Sequence, residues 1–155
     1  MTSRLLVDTN LLVLFAVGTV NRSRIEIFKR TRQYTIEDFE LLLRVLRKWK
    51  SLYTVPQVMA EVSNLTDLSG PERQQVRHVL KNAISETTEV NVSSVQAVQE
   101  PSFWSLGLVD AAIVAVAREH SCAVLTDDLD LYLRLQRDGV SVINFTHLRA
   151  QAFGL

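Results

Sequence analysis

At 155 residues and 47% hydrophobic content, the chain is long enough for a single domain to bury a core without disulfides or a structural metal. Its one cysteine, Cys122, excludes an internal disulfide framework and fits a reducing compartment, so a cytoplasmic protein is expected. Lys plus Arg and Asp plus Glu each total 17, which excludes a strongly basic or acidic protein whose overall charge would select its partner.

The first predicted element is a strand over Arg4 to Asp8, followed by a helix over Leu11 to Val17. Asp8, Thr9 and Asn10 interrupt this apolar start, which falls short of the ~20 residues of a membrane span, so no membrane association is expected. From Arg22 to Lys50 nine basic residues stand against four acidic ones, a local net charge of +5 offset by −5 elsewhere. This basic segment is expected to be helical. Thr35 with Asp38 resembles a capping box, and Leu42, Val45, Leu46 and Trp49 recur at helical spacing within Asp38 to Lys50.

A second strand is expected over Leu52 to Val55, with Pro56 and Pro71 at helix first turns. Residues 64–70 and 99–107 read as loops within one domain spanning residues 1–155. Further strands are expected over Glu89 to Val92, Cys122 to Thr126 and Val140 to Asn144. Between them Leu106 to Ala117 is apolar on nearly every side, as a helix packed in the core would be. Strands alternating with helical stretches predict an α/β domain on a five-stranded parallel sheet.

In an open parallel sheet, ligands bind at the carboxyl ends of the strands. Asp8 ends the first predicted strand, and Asp127, Asp128 and Asp130 follow the fourth, behind Thr126. Asp8 also suits an N-cap, and a single aspartate after a strand also suits a solvated loop. Three within four positions repel one another unless a cation or arginine lies nearby. Glu61, a turn or two beyond the second strand, reads alone as a solvated helix residue. Asp110 lies in the apolar Leu106 to Ala117 run, where an unpartnered charge is costly to bury, so it either caps that helix or faces a polar site. An oxygen-only set of this kind selects hard cations such as Mg2+ or Mn2+, and the chemistry it allows is phosphodiester hydrolysis. His78, His120 and His147 read as surface or cap residues, and no Ser-His-Asp or Cys-His arrangement is legible.

These pieces, Leu5 to Asn10, Val55 to Glu61, Leu108 to Ile113 and Leu125 to Asp130, resemble in order the motifs of the PIN-domain nucleases, including the toxin ribonucleases of toxin–antitoxin pairs. The resemblance covers residues 5 to 130, and Val140 to Asn144 matches the family's last strand. It implies a PIN-like three-layer domain, an Mg2+ or Mn2+ site and cleavage of RNA. Asp8, Glu61 and Asp110 carry over as catalytic and metal-binding residues. Asp128 is the preferred fourth acid, with Asp127 and Asp130 as alternates, Thr126 as support and Asn10 as the residue that orients Asp8. A homodimer and an antitoxin protein are the expected partners besides RNA.

The long interval between Asp8 and Glu61 departs from the compact toxins. Its basic residues could track a phosphate backbone, and Tyr34 or Trp49 could stack on bases, unless Trp49 is core and the charges a solvated face. An RNA-processing nuclease without an antitoxin, or a PIN fold that has lost catalysis and serves as a scaffold, are the alternatives. A haloacid-dehalogenase-type phosphatase would want an Asp where Asn10 stands, a receiver domain an acidic pair at the first strand's end, and a topoisomerase-primase site a Glu after that strand.

Overall fold

In the computed structural model, which describes residues 3–155, five strands form one sheet: β1 (Arg4–Val7), β2 (Ser51–Thr54), β3 (Thr88–Glu89), β4 (Ala123–Thr126) and β5 (Val142–Asn144). All pairings are parallel and the order is β3-β2-β1-β4-β5. Such a sheet needs both faces covered, and period-2 alternation sorts its side chains. Leu5, Val7, Ala123 and Leu125 enter one apolar cluster, while Leu6 and Val124 enter the other.

The helices are α1 (Thr9–Val20), α2 (Ile36–Leu46), α3 (Pro56–Leu65), α4 (Pro71–Glu86), α5 (Ser94–Ala97), α6 (Phe103–Leu106), α7 (Leu108–Glu119), α8 (Leu129–Arg137) and α9 (Phe145–Phe153). Residues of α3, α4, α7 and α8 pack on the Leu6 face, and those of α2 and α9 on the Leu5 face. The result is a three-layer α/β arrangement. Helix α1 contributes to both clusters, through Val13, Ala16 and Val17 on one side and Leu11 and Leu14 on the other. No helix among the described residues is long and apolar enough to cross a membrane.

The expected strands are present, with shifted ends. β3 is an exposed two-residue edge strand; Val90 N–H still bonds the Thr54 carbonyl at 2.9 Å before the chain leaves the sheet. β5 starts at Val142 because Gly139, at φ 73°, and a bond from Val140 N–H to the Leu135 carbonyl (2.9 Å) close the end of α8. Pro56 and Pro71 occupy first turns, and Thr35 and Asp38 form the full capping box.

The basic segment departs from its expected helicity. Residues 22–24 form one 3-10 turn, residues 25–34 run through successive turns, and α2 covers only 36–46. Trp49 therefore lies beyond the helix, half-buried against the second cluster.

Gly18 lets α1 and α2 approach closely: a Cβ there would meet the Phe39 ring, with Cε2 at 2.6 Å and Cγ at 2.8 Å. Gly18→Ala gains helix propensity but should still lose about 1–3 kcal/mol overall through the forced displacement of Phe39. A lower denaturant midpoint at unchanged slope would show it.

Candidate functional site

From β1 the chain fills one side of the sheet through β2 and β3, then returns to place β4 and β5 on the other. The order reverses between β1 and β4, so their carboxyl ends bound the crevice where open α/β sheets bind ligands. Asp8 follows β1 directly, and its N–H continues the ladder to the Leu125 carbonyl at 2.9 Å. Its side chain caps α1: Oδ1 accepts the Thr9 N–H at 2.8 Å and Oδ2 accepts the Thr126 hydroxyl at 2.6 Å. The same Thr126 oxygen accepts the Asp128 N–H at 3.0 Å, and Asp128 caps α8 by accepting the Leu131 N–H at 3.1 Å.

Asp110 stands in the first turn of α7, whose N-cap is Gly107 at φ 87°. It is therefore not the cap, which leaves the polar-site alternative. Because α7 leads into β4, its N-terminus lies at the same edge of the sheet. Glu61 comes from the second turn of α3, directly after β2. Three helices, α1, α7 and α8, thus start where the acids gather, and their N-terminal dipoles favour negative charge there.

The acids feel one another. Asp8, 6% exposed, is pushed up from 3.8 to about 6, chiefly by burial; the Thr126 and Thr9 hydrogen bonds lower it, and the charges of Asp127 and Asp128 raise it. Half-buried Asp110 is pushed up to about 7, by burial first and then by the charges of Asp8, Asp128 and Glu61. Four segments far apart in sequence thus bring Asp8, Asp128 and Glu61 within electrostatic range of Asp110, and Asp128 within range of Asp8.

Asp38 provides an internal contrast. At 1% exposure it receives the Arg149 Nε at 2.8 Å and the Thr35 N–H at 2.9 Å. Among the described residues, no ion pair reaches Asp8, Glu61, Asp110 or Asp128. No three Asp, Glu, His or Cys side chains among those residues are drawn together as a ready ligand set, so a cation would have to bring the acids closer. The donors nevertheless suit a hard divalent ion: all are carboxylate oxygens, and beside Asp8 the buried Thr9 hydroxyl has no hydrogen-bond partner among the described residues.

Of the three acids after β4, Asp128 is the one whose charge acts on both Asp8 and Asp110. Asp127 accepts a hydrogen bond from the Tyr34 hydroxyl, and Asp130 is exposed in the first turn of α8. Tyr34 is 1% exposed, so it cannot stack on a base as the sequence allowed. Its ring instead faces the Arg149 guanidinium at 5.7 Å. Asn10 is exposed, and the hydrogen bonds that orient Asp8 among the described residues come from Thr126 and Thr9. The roles of Tyr34 and Thr9 were not legible: Tyr34 lies 93 positions from its partner, and Thr9, although inside the Leu5 to Asn10 motif, was given no part in orienting Asp8. His120 follows α7 as its C-cap, while His78 and His147 are exposed.

Compared with known proteins, the chain matches no family model and no curated sequence.

The raised carboxyls carry a definite pH signature in protein freed of divalent cations. A group whose folded pKa exceeds its unfolded value binds its proton more tightly when folded, so its stabilising contribution is present below pH ~4 and lost as pH rises through 6 and 7. Asp110→Asn should therefore raise the melting temperature near pH 7.5 by several degrees and flatten its fall between pH 5 and 7.5. Melting curves across that range in chelator decide it.

Proposed function

We propose that this chain is a metal-dependent endoribonuclease of the PIN-domain type, acting in the cytoplasm and holding Mg2+ or Mn2+ among Asp8, Glu61, Asp110 and Asp128. The observation that carries this reading is the convergence of four carboxylates from four segments, with no ion pair to any of them among the described residues, at the carboxyl ends of β1 and β4. A bound divalent ion supplies positive charge at a phosphate and lowers the pKa of water beside it.

The chain's own residues do the rest. Thr126 and Thr9 orient the Asp8 carboxylate. Asp110 and Asp128 present charge from two helix starts, where the N-terminal dipoles also favour the incoming phosphate. Glu61, further along α3, completes the ligand set or holds a water.

The basic segment supports RNA over a small phosphoester as substrate. Arg22, Arg24 and Lys29 are spent on Glu40, Glu72 and Asp67, at 2.7, 2.8 and 3.3 Å. Arg30 and Arg32 are exposed and have no ion pair among the described residues. They precede Tyr34, whose hydroxyl fastens the segment to Asp127 at the acidic edge. On this reading the protein is a homodimer, and a small antitoxin whose tail covers the acids would silence it.

Purified protein with Mg2+ or Mn2+ should cleave members of a varied RNA panel, and Asp8→Asn should cut at least about a hundredfold slower while remaining folded. Cleavage of no RNA by the unsubstituted protein, or unchanged cleavage by Asp8→Asn, ends the proposal. Reversing both Arg30 and Arg32 to Glu should weaken RNA binding and flatten its dependence on salt; an unchanged affinity and slope in binding isotherms at several ionic strengths would remove the segment from the interface.

A further inference from the structure

Trp104 is 85% exposed, so its large apolar ring contributes little to the fold and is presented to solvent at a cost. Phe103 braces it edge-on, with centroids 5.5 Å apart. The two residues that follow Trp104, Ser105 and Leu106, form one wall of an open groove of about 450 Å³ between α6 and α8, whose other wall is Asp130, Leu133, Arg134 and Arg137. That volume lies within the roughly 300–1,000 Å³ of small-molecule sites. Both walls belong to the segments that carry the acids: Ser105 and Leu106 lead into the start of α7 and Asp110, and Asp130 is two residues past Asp128.

The charges along the groove are graded. Asp130 stands at the acidic end. Arg134 is held by Asp138 at 3.2 Å, while Arg137, exposed, has no ion pair among the described residues. Seven residues of helix separate Asp130 from Arg137, about 10 Å at 1.5 Å per residue, long enough for a dinucleotide step. An exposed aromatic side chain next in sequence to one wall, and on the other a guanidinium without an ion pair among the described residues, are the two kinds of group that hold single-stranded nucleic acid.

We propose that the α6–α8 groove is a subsite for single-stranded RNA next to the bond to be cut, with Trp104 stacking on a base and Arg137 contacting a phosphate beyond it. The proposal rests on the ribonuclease reading above. Leu108, Leu129 and Leu133 are also exposed and would suit a protein partner; the groove itself, with two arginines, an aspartate and a serine, favours the nucleotide.

The chain has two tryptophans, so Trp49→Phe leaves Trp104 as the sole fluorophore. In that protein carrying Asp8→Asn, which should leave RNA uncut, a mixed-sequence single-stranded pentanucleotide should quench the emission to saturation. By anisotropy of a labelled RNA, Trp104→Ala should bind at least about fivefold more weakly and Trp104→Phe nearly as well as the parent. Arg137→Ala should weaken binding and reduce its salt slope by about one ion. Saturable binding without quenching, and with Trp104→Ala unaffected, overturns the subsite; if the unsubstituted protein cleaves RNA in parallel, the ribonuclease reading stands. If that protein neither binds nor cleaves RNA, both fall. Quenching that follows protein concentration and ignores RNA overturns the subsite in favour of a protein-binding face.

Discussion

The parallel pairing of β1 with β4 governs both the core and the acidic edge. Its register sets Leu5 against Ala123, Leu6 against Val124 and Val7 against Leu125, so Asp8 comes level with Thr126 as the strands end. The Thr126 hydroxyl can then serve two chains of contact at once, donating to Asp8 and accepting from the Asp128 amide. A slip of one residue would exchange every side chain between the two faces and would part the hydroxyl from the carboxylate. The two apolar layers, each selecting alternate residues of the same short strands, hold the register that aligns the acids.

Much of this is readable in the sequence because apolar runs and carboxylates are local signals. Asp8 and the 127–130 run follow stretches whose burial demands a strand, and the topology of an open parallel sheet then places them on one edge. Asp110 was legible through its apolar neighbours, which left a charge needing a reason. The harder parts depend on partners remote in the chain. Asp128 was preferred to Asp127 through the resemblance alone, whereas the bond that occupies Asp127 comes from Tyr34, and the orientation of Asp8 turns on Thr126 where Asn10 had been expected. Between residues 22 and 50 the capping box at Thr35 and the apolar spacing beyond Asp38 suggested a helical segment, but turns prevail from 25 to 34, where Ile25, Thr31 and Tyr34 are drawn inward by tertiary burial that no local period announces.

The two nearly buried aspartates show how differently this protein treats the same group. Asp38 joins α2 to α9 through Arg149 and is compensated in full, as a buried structural charge must be. Asp8 is nearly as enclosed but has only neutral donors, with further acids close by. A fold can tolerate such a patch because the surplus stability of its core offsets it, the usual relation between a strained site and the scaffold around it. The helix starts of α1, α7 and α8 lessen the repulsion without abolishing it.

Helix α1 lies between the two apolar layers with buried residues on opposite sides, and it starts at Asp8 itself. Opening it would expose both layers together, so backbone amides from Leu12 to Val17 should exchange with solvent only when the whole domain unfolds. Glu61 and Asp110 belong to helices with partly exposed first turns, where local fluctuations are cheaper. The acidic edge is therefore mechanically asymmetric: Asp8 is its fixed reference point, and any adjustment that brings the carboxylates together falls to α3 and α7.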